Sequence, residues 1–131
     1  MSYALAGAVQ AAVHAALTAH PDLAGVAVLD AVPPGAASGT FVLIGAEEAR
    51  DASDATGAGA EHRVEVSVRS DAAGFLAAKG AAAAVCDAME GVALAAPARV
   101  VEVWFLKAKA VRSEDGSERR VDLTFRLRVE V

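Results

Sequence analysis

The chain has 131 residues, of which 55% are hydrophobic and 5% aromatic, and its formal net charge is −5. That length suits one domain over residues 1–131, the acidic charge argues against general affinity for nucleic acid, and no apolar run reaches the ~18 residues of a membrane span. The single cysteine, Cys86, excludes an internal disulfide and fits a reducing compartment.

The first third of the chain predicts one helix and two strands. Apolar residues at helical spacing predict a helix over residues 4–19, and His20-Pro21 ends it because the residue before a proline avoids helical angles. Residues 25–30 predict a short strand, and residues 32–35 predict a stiff turn. Residues 40–45 form a continuous apolar run, which predicts a strand buried on both faces.

Residues 46–60 differ from the segments on either side because they contain no large apolar side chain. Loops longer than ~12–15 residues are uncommon in compact domains and are usually functional or disordered. The charged residues of this segment are Glu47, Glu48, Arg50, Asp51 and Asp54. We predict a polar loop that is mobile in an isolated subunit and ordered in an assembly, the alternative being a floppy insertion without function.

A strand and a second helix follow this loop. Residues 61–69 alternate between apolar and polar side chains, which predicts a half-buried strand. Ser70 or Asp71 is then predicted to cap a helix that reaches about residue 90. Cys86 lies on the apolar stripe of this helix and is interpreted as a small buried hydrophobic residue.

The C-terminal segment predicts a long β-hairpin. Residues 121–131 alternate without a fault, residues 100–112 supply an apolar partner strand, and Asp115-Gly116 between them is a strong turn signal. With that pair as the loop, Lys109 lies opposite Asp122. The same register places Leu106 opposite Phe125 and Trp104 opposite Leu127, on the core side of the hairpin.

The opposite face of this hairpin mixes apolar and basic residues. It holds Val103, Phe105 and Val111 beside Arg120, Arg126 and Arg128. Because this face is not fully polar, we expect part of it to be covered. A helix of the same chain and a neighbouring subunit account for such a cover equally well.

No set of catalytic residues stands out in the sequence. Gly57-Ala58-Gly59 lacks a third glycine and leads into a strand, whereas a dinucleotide fingerprint opens a helix. His14 and His20 are not spaced to share a helix face as a metal pair. His62 starts a strand beside the polar loop and is interpreted as an anchor for it. We therefore predict no enzyme activity, no metal and no cofactor.

The predicted elements define an α+β fold, with one mainly antiparallel sheet, two helices packed on one face of it and a long C-terminal hairpin. Two stretches within this order are Glu47-Glu48-Ala49-Arg50-Asp51 and Gly74-Phe75-Leu76-Ala77-Ala78-Lys79. Together with the order of elements, they resemble the tail terminator, or tail-completion, family of long-tailed phages and gene transfer agents. The resemblance extends over nearly the whole chain.

This resemblance implies a structural function. Members of the family form hexameric rings that cap the tail tube, stop its polymerisation and join it to the head-side connector. The implied partners are further copies of the chain, the tail tube protein and the head-completion protein. DNA passes through the ring without specific binding. The implied location is the bacterial cytoplasm during assembly and the phage-like particle afterwards.

The predicted contact residues lie in two groups. The loop group is Glu47, Glu48, Arg50, Asp51 and Asp54, and the outer sheet group is Val103, Phe105, Val111, Arg126 and Arg128. We expect the acids of one subunit to line the channel or to meet the arginines of the next. The alternatives are a small ligand- or protein-binding module that uses residues 46–60, or an enzyme that uses His62 with the acidic loop.

Overall fold

The computed structural model describes residues 2–31 and 39–131, so the turn predicted at residues 32–35 lies outside the described part. Two α-helices, a short 3-10 helix and five strands make up the described chain. They are α1 Ala6–Ala19, the 3-10 helix Pro21–Leu23, β1 Ala27–Leu29, β2 Thr40–Asp51, β3 Gly59–Ser70, α2 Leu76–Met89, β4 Arg99–Arg112 and β5 Arg119–Glu130. Each helix is shorter than a membrane span requires, and none in the described residues is long and apolar enough to cross one.

The five strands form one sheet in the order β1-β2-β3-β5-β4. The β1–β2 pair is parallel and the other three pairs are antiparallel. This arrangement confirms the predicted α+β fold, the mainly antiparallel sheet and the long C-terminal hairpin. In the sheet β5 lies between β3 and β4, so the hairpin contributes both a central strand and the strand at one end.

The core is a single cluster of buried side chains. Its sheet residues alternate along the strands, as Val64, Val66 and Val68 do in β3, and we call the face that carries them the core face. Both helices contribute to the same cluster, for example through Val13 of α1 and Val85 of α2. That the two helices share one face of the sheet remains a prediction. The opposite side, which carries Arg63, Glu65 and Arg69, is called the outer face.

The second helix begins later than the sequence predicted. It starts at Leu76, and neither Ser70 nor Asp71 caps it. Ser70 Oγ instead accepts a hydrogen bond from the Ala72 N–H at 3.2 Å, and the Asp71 carboxylate accepts one from the Gly39 N–H at 3.0 Å. The two polar side chains therefore hold the connection after β3, because their acceptors satisfy backbone donors there before the helix forms.

The terminal hairpin turns where predicted but has a different register beyond its middle. Lys109 lies opposite Asp122, as predicted. Leu106 is an extra residue in a β-bulge, so Phe105 faces Phe125 and Val103 faces Leu127. The predicted pairs of Leu106 with Phe125 and of Trp104 with Leu127 are therefore wrong. The bulge exchanges the two faces for residues 102–105, until a second bulge at Val101 exchanges them back.

The loop of this hairpin is longer than the predicted two residues. The N–H of Ser113 donates to the carbonyl of Glu118 at 2.9 Å and closes a loop of residues 114–117. Gly116 adopts φ 75°, the left-handed conformation for which glycine is suited. The added length leaves the pairing of Lys109 with Asp122 unchanged, because residues are added equally on both sides of the turn.

The prediction of a structureless loop over residues 46–60 is wrong. β2 continues to Asp51 and β3 already begins at Gly59, so residues 52–58 alone connect them. A bulge at residues 45–46 separates the pair Ile44–Val66 from the pair Glu47–Val64. Polar residues extend the strand beyond this bulge because a β-ladder is held by backbone hydrogen bonds, which do not require apolar side chains.

Candidate interaction surfaces

The two adjacent glutamates of β2 point to opposite faces of the sheet. Glu48 pairs with Arg63 and lies on the outer face. Glu47 accepts a hydrogen bond from the Tyr3 hydroxyl at 2.8 Å, and its other oxygen lies 3.1 Å from Nδ1 of His62. The hydrogen bond to this carboxylate and its negative charge raise the pKa of Tyr3. Glu47 thus connects the N-terminal segment to β3.

His62 is fully buried on the core face, opposite Leu127. Its Nδ1 contacts Glu47, whereas its Nε2 is buried and has no hydrogen-bond partner among the described residues. A histidine held in this way fixes the spacing of β2 and β3 at the polar end of the hairpin. The contact with Glu47 is of the kind expected if His62 anchors residues 46–60 to β3. The fully buried ring is not accessible to a substrate.

The tip of the β2–β3 hairpin is held by Asp54. Its Oδ1 accepts hydrogen bonds from the hydroxyl and the N–H of Thr56, at 2.7 and 2.9 Å, and from the N–H of Gly57 at 3.1 Å. These donors, with the hydroxyl first, lower the pKa of Asp54. The side chain organises a tight turn, so Asp54 already has partners within its own chain.

Arg128 of β5 binds this same tip. Its Nη2 donates to the carbonyl of Ala52 at 3.0 Å and lies 3.7 Å from Oδ2 of Asp54, while its Nε donates to Glu130 at 3.2 Å. The pairing of acidic loop residues with Arg128 that was expected between subunits occurs here within one subunit. Arg128 thereby fastens residues 52–58 to the sheet.

The outer face is rich in arginine. Arg63 lies directly opposite Arg126, and Arg69 lies opposite Arg120. Directly opposed like charges are unfavourable, and part of this cost is offset where the Arg126 guanidinium lies 4.4 Å from the centre of the Trp104 ring. The strand registers place nine basic residues on this face: Arg50, Arg63, Arg69, Arg99, Lys107, Lys109, Arg120, Arg126 and Arg128.

The apolar residues predicted for the outer face are mostly on the other side. Val103 and Phe105 pair with Leu127 and Phe125, so both belong to the core face. Of the three, Val111 alone remains on the outer face, opposite Arg120. The bulge at Leu106 causes the exchange, and Trp104 takes the outer position instead.

A shallow depression of about 510 Å³ crosses the outer face. It extends from Leu106 and Lys107 of β4 across Thr124 and Glu65 to Glu48 of β2. The lining carries both signs of charge and is open to solvent. No group of three or more potential metal-ligating side chains occurs in residues 2–31 and 39–131.

β4 is far more exposed than the other long strands. Val101, Phe105 and Leu106 are 47%, 55% and 37% exposed, although the Phe105 ring meets Phe125 edge-on at 6.0 Å between ring centres. An apolar groove of about 300 Å³ lies between this strand and α2, and Cys86 lines it. Cys86 is half-buried rather than fully buried, and burial raises the pKa of its thiol.

The predicted contact residues therefore do not converge on one site. The strand residues Glu47, Glu48, Arg50 and Asp51 lie on β2, Asp54 joins Arg128 at the hairpin tip, and the exposed apolar residues lie on β4. Sequence reasoning missed Tyr3 and Trp104. Tyr3 reaches Glu47 from 44 positions away, a distance at which the sequence carries no pairing signal.

A small α+β domain whose notable features are a long exposed strand and a charged sheet face is typical of a protein that works by packing against other protein chains. Comparison with known proteins identifies the family. The family model described as Tail completion protein gp17 matches residues 5–130, so the chain belongs to the tail completion protein family. This match confirms the resemblance that the sequence showed, and the family is one of structural tail proteins.

A solved structure agrees with this assignment. One chain of the structure titled "Virion of native gene transfer agent (GTA) particle" is 55% identical to this chain, with a TM-score of 0.86. The match covers 99% of this chain and 100% of that chain. Among curated proteins, none matches.

Proposed function

We propose that this chain forms a homohexameric ring that caps the tail tube of a phage-like particle, stops its polymerisation and joins it to the head-side connector. The observation that carries the proposal is the end-to-end match with a chain of a gene transfer agent virion at 55% identity. A match of that extent includes every element of the fold. The protein assembles in the bacterial cytoplasm and then becomes part of the particle.

The shape of the sheet supports a ring. Its two ends differ, since β4 forms one end while β1 and the distal part of β2 form the other. Contacts between unlike surfaces are heterologous and close into a ring when the rotation between neighbours permits. The partners at the two faces of the ring are the tail tube protein and the head-completion protein.

The charge distribution is consistent with DNA transit. The chain has a net charge of −5, and the arginines of the outer face alternate with Glu48, Glu61 and Glu65. Affinity for nucleic acid rises with the number of phosphates that are neutralised. The net negative charge of the chain disfavours such contacts, so DNA passes through the ring without specific binding.

The test is the length of tails made without this chain. Particles produced from a deletion of its gene are expected to carry overlong tails of irregular length and heads without tails, as counted by electron microscopy. Wild-type chain supplied in trans is expected to restore uniform tails. Normal tails in the deletion overturn the proposal.

The number of subunits has a separate measurement. Native mass spectrometry of assembled protein is expected to give six times the 13.2 kDa of one chain. A closed ring with another number of subunits contradicts the hexamer but leaves the capping function intact, since tail length is scored independently.

A further inference from the structure

Two backbone edges of the sheet have no partner strand among the described residues. β4, residues Arg99–Arg112, is the last strand in the sheet order. At the other end, β1 covers residues Phe41, Val42 and Leu43 of β2 and leaves residues 44–50 without a neighbouring strand on their far side. Unpaired N–H and C=O groups along a strand edge are a template for pairing with another chain.

The β4 edge is long and partly apolar, although two bulges and its lysines are features that limit pairing of an exposed edge. It is 14 residues long, it contains no proline, and it exposes Val101, Phe105 and Leu106. Its bulges at Val101 and Leu106 divide it into shorter stretches, of which residues 107–112 are the longest. Monomeric proteins seldom leave such a strand uncovered.

The strand directions fit a head-to-tail contact. Three successive antiparallel pairings separate β2 from β4, so the two strands run in opposite directions within one sheet. When a second copy is placed in line with the first, β4 of one copy therefore meets β2 of the next in the antiparallel sense. Antiparallel pairing is slightly more stable per residue than parallel pairing.

The two edges also carry opposite charge. β4 contains Arg99, Lys107, Lys109 and Arg112 against the single acid Glu102. Residues 47–50 of β2 contain two acids against the single base Arg50; Glu48 is the exposed acid, and Glu47 contacts Tyr3 and His62 of its own chain. Complementary charge steers association and disfavours pairing of an edge with its own copy, which a head-to-tail contact requires.

We infer that the sheet continues from one subunit to the next, by antiparallel pairing of β4 with residues 47–50 of β2 in a second copy of this chain. The inference rests on the proposed ring and names the contact that closes it. Backbone pairing of this kind is β-augmentation, in which main-chain hydrogen bonds supply affinity and exposed side chains supply specificity.

The decisive experiment mixes two variants, each blocked at one edge. Leu106→Pro acts at the β4 edge and Ala46→Pro at the β2 edge, and both residues lie in bulges outside the regular register. Each variant alone is expected to remain monomeric by native mass spectrometry. In a one-to-one mixture, the intact β4 edge of the Ala46→Pro chain can pair with the intact β2 edge of the Leu106→Pro chain. The two remaining edges of this heterodimer are both blocked, so no larger assembly forms.

A matched control places proline where pairing is not involved. Ala55→Pro lies at the tip of the β2–β3 hairpin, in the turn closed by Asp54 and Gly57, and is expected to assemble like the wild type. Circular dichroism and thermal unfolding establish that each variant folds. If both edge variants fold and still form full rings, the edge pairing is overturned while the ring proposal stands.

A second pair of variants keeps the test independent of proline. Lys107→Glu and Glu48→Lys alter exposed side chains of the two edges without removing an N–H group. Each alone is expected to require about tenfold more protein to assemble, and a mixture is expected to recover rings of alternating subunits. Mixtures that assemble no better than the separate variants contradict the inference, and wild-type protein that stays monomeric at every concentration overturns both the ring and the edge contact.

Discussion

The two strands of the terminal hairpin are both rich in apolar residues, but β5 is largely buried and β4 is largely exposed. On β5 the core-face residues Leu123, Phe125 and Leu127 are at most 2% exposed, whereas Phe105 on β4 is 55% exposed. The difference comes from position, because β5 has β3 on one side and β4 on the other, while β4 has a neighbour on one side only. Alternation in a sequence predicts which face a residue occupies, and the sheet order decides how deeply it is buried.

The largest effect expected from this contrast is at Phe125. Phe125→Ala should lower the free energy of unfolding by about 3–5 kcal/mol, because it removes a large buried ring and leaves a cavity. Urea unfolding followed by circular dichroism measures this change. A loss below about 1 kcal/mol would mean that the site can collapse around the smaller side chain, and the contrast with β4 would then lose its energetic basis.

The partner ring on β4 should respond differently. Phe105→Asp removes an edge-on contact with Phe125 and should cost no more than about 1.5 kcal/mol of stability. It should nevertheless leave a folded chain that cannot assemble, because it places a charge on the exposed strand. Thermal unfolding and native mass spectrometry score the two properties separately.

Leu76→Asp is the matched control for this substitution, since Leu76 is 87% exposed and is the first residue of α2 rather than part of a strand. It should neither destabilise the chain nor prevent assembly. If Phe105→Asp unfolds the chain, Phe105 belongs to the core of the monomer, and the contrast between a buried β5 and an exposed β4 is wrong.

The sequence predicted the parts of the fold that depend on local pattern. Alternation identified β5, and Asp115-Gly116 located the turn, because both signals are contained in a few neighbouring residues. The bulge at Leu106 has no such signal, and it reversed the predicted faces of Val103 and Phe105. Bulges are set by the fit between paired strands, which only the assembled sheet defines.

In the candidate site, too, the sequence predicted the features that depend on local composition and missed those that depend on contacts between distant residues. The charges of residues 46–60 were recognised, yet a low content of apolar residues was interpreted as a loop, whereas backbone pairing with β3 extends the strand to Asp51. The contacts of Glu47 with Tyr3 and His62 join residues far apart in the chain. Such long-range contacts follow from the topology and cannot be predicted from local composition.

A smaller effect is expected where β5 meets the other hairpin. Arg128→Lys should cost about 1 kcal/mol, because lysine cannot keep both the hydrogen bond to the Ala52 carbonyl and the contact with Glu130. Amide hydrogen exchange at residues 53–57 should become faster. Arg50→Lys, an exposed change on β2, serves as the control and should leave exchange at the tip unaltered.

The smallest effect concerns the tip of the terminal hairpin and depends on pH. Asp115 accepts hydrogen bonds from the N–H of Ser117 at 3.0 Å and from the hydroxyls of Ser117 and Ser113 at 2.7 and 2.8 Å. These donors, with the Ser117 N–H first, lower the pKa of Asp115 from 3.8 to about 2. A carboxyl whose pKa is lower in the folded chain than in the unfolded chain stabilises the fold when it is ionised.

The stabilisation is fully present above the unfolded pKa of 3.8 and is lost as the pH falls through that value towards about 2. Asp115→Asn should therefore be less stable than the wild type at pH about 6, and the difference should narrow through this range. Urea unfolding across that pH range measures it, with Glu114→Gln in the same loop as the control. A difference that stays constant would show that the turn depends on the shape of the side chain and not on its charge.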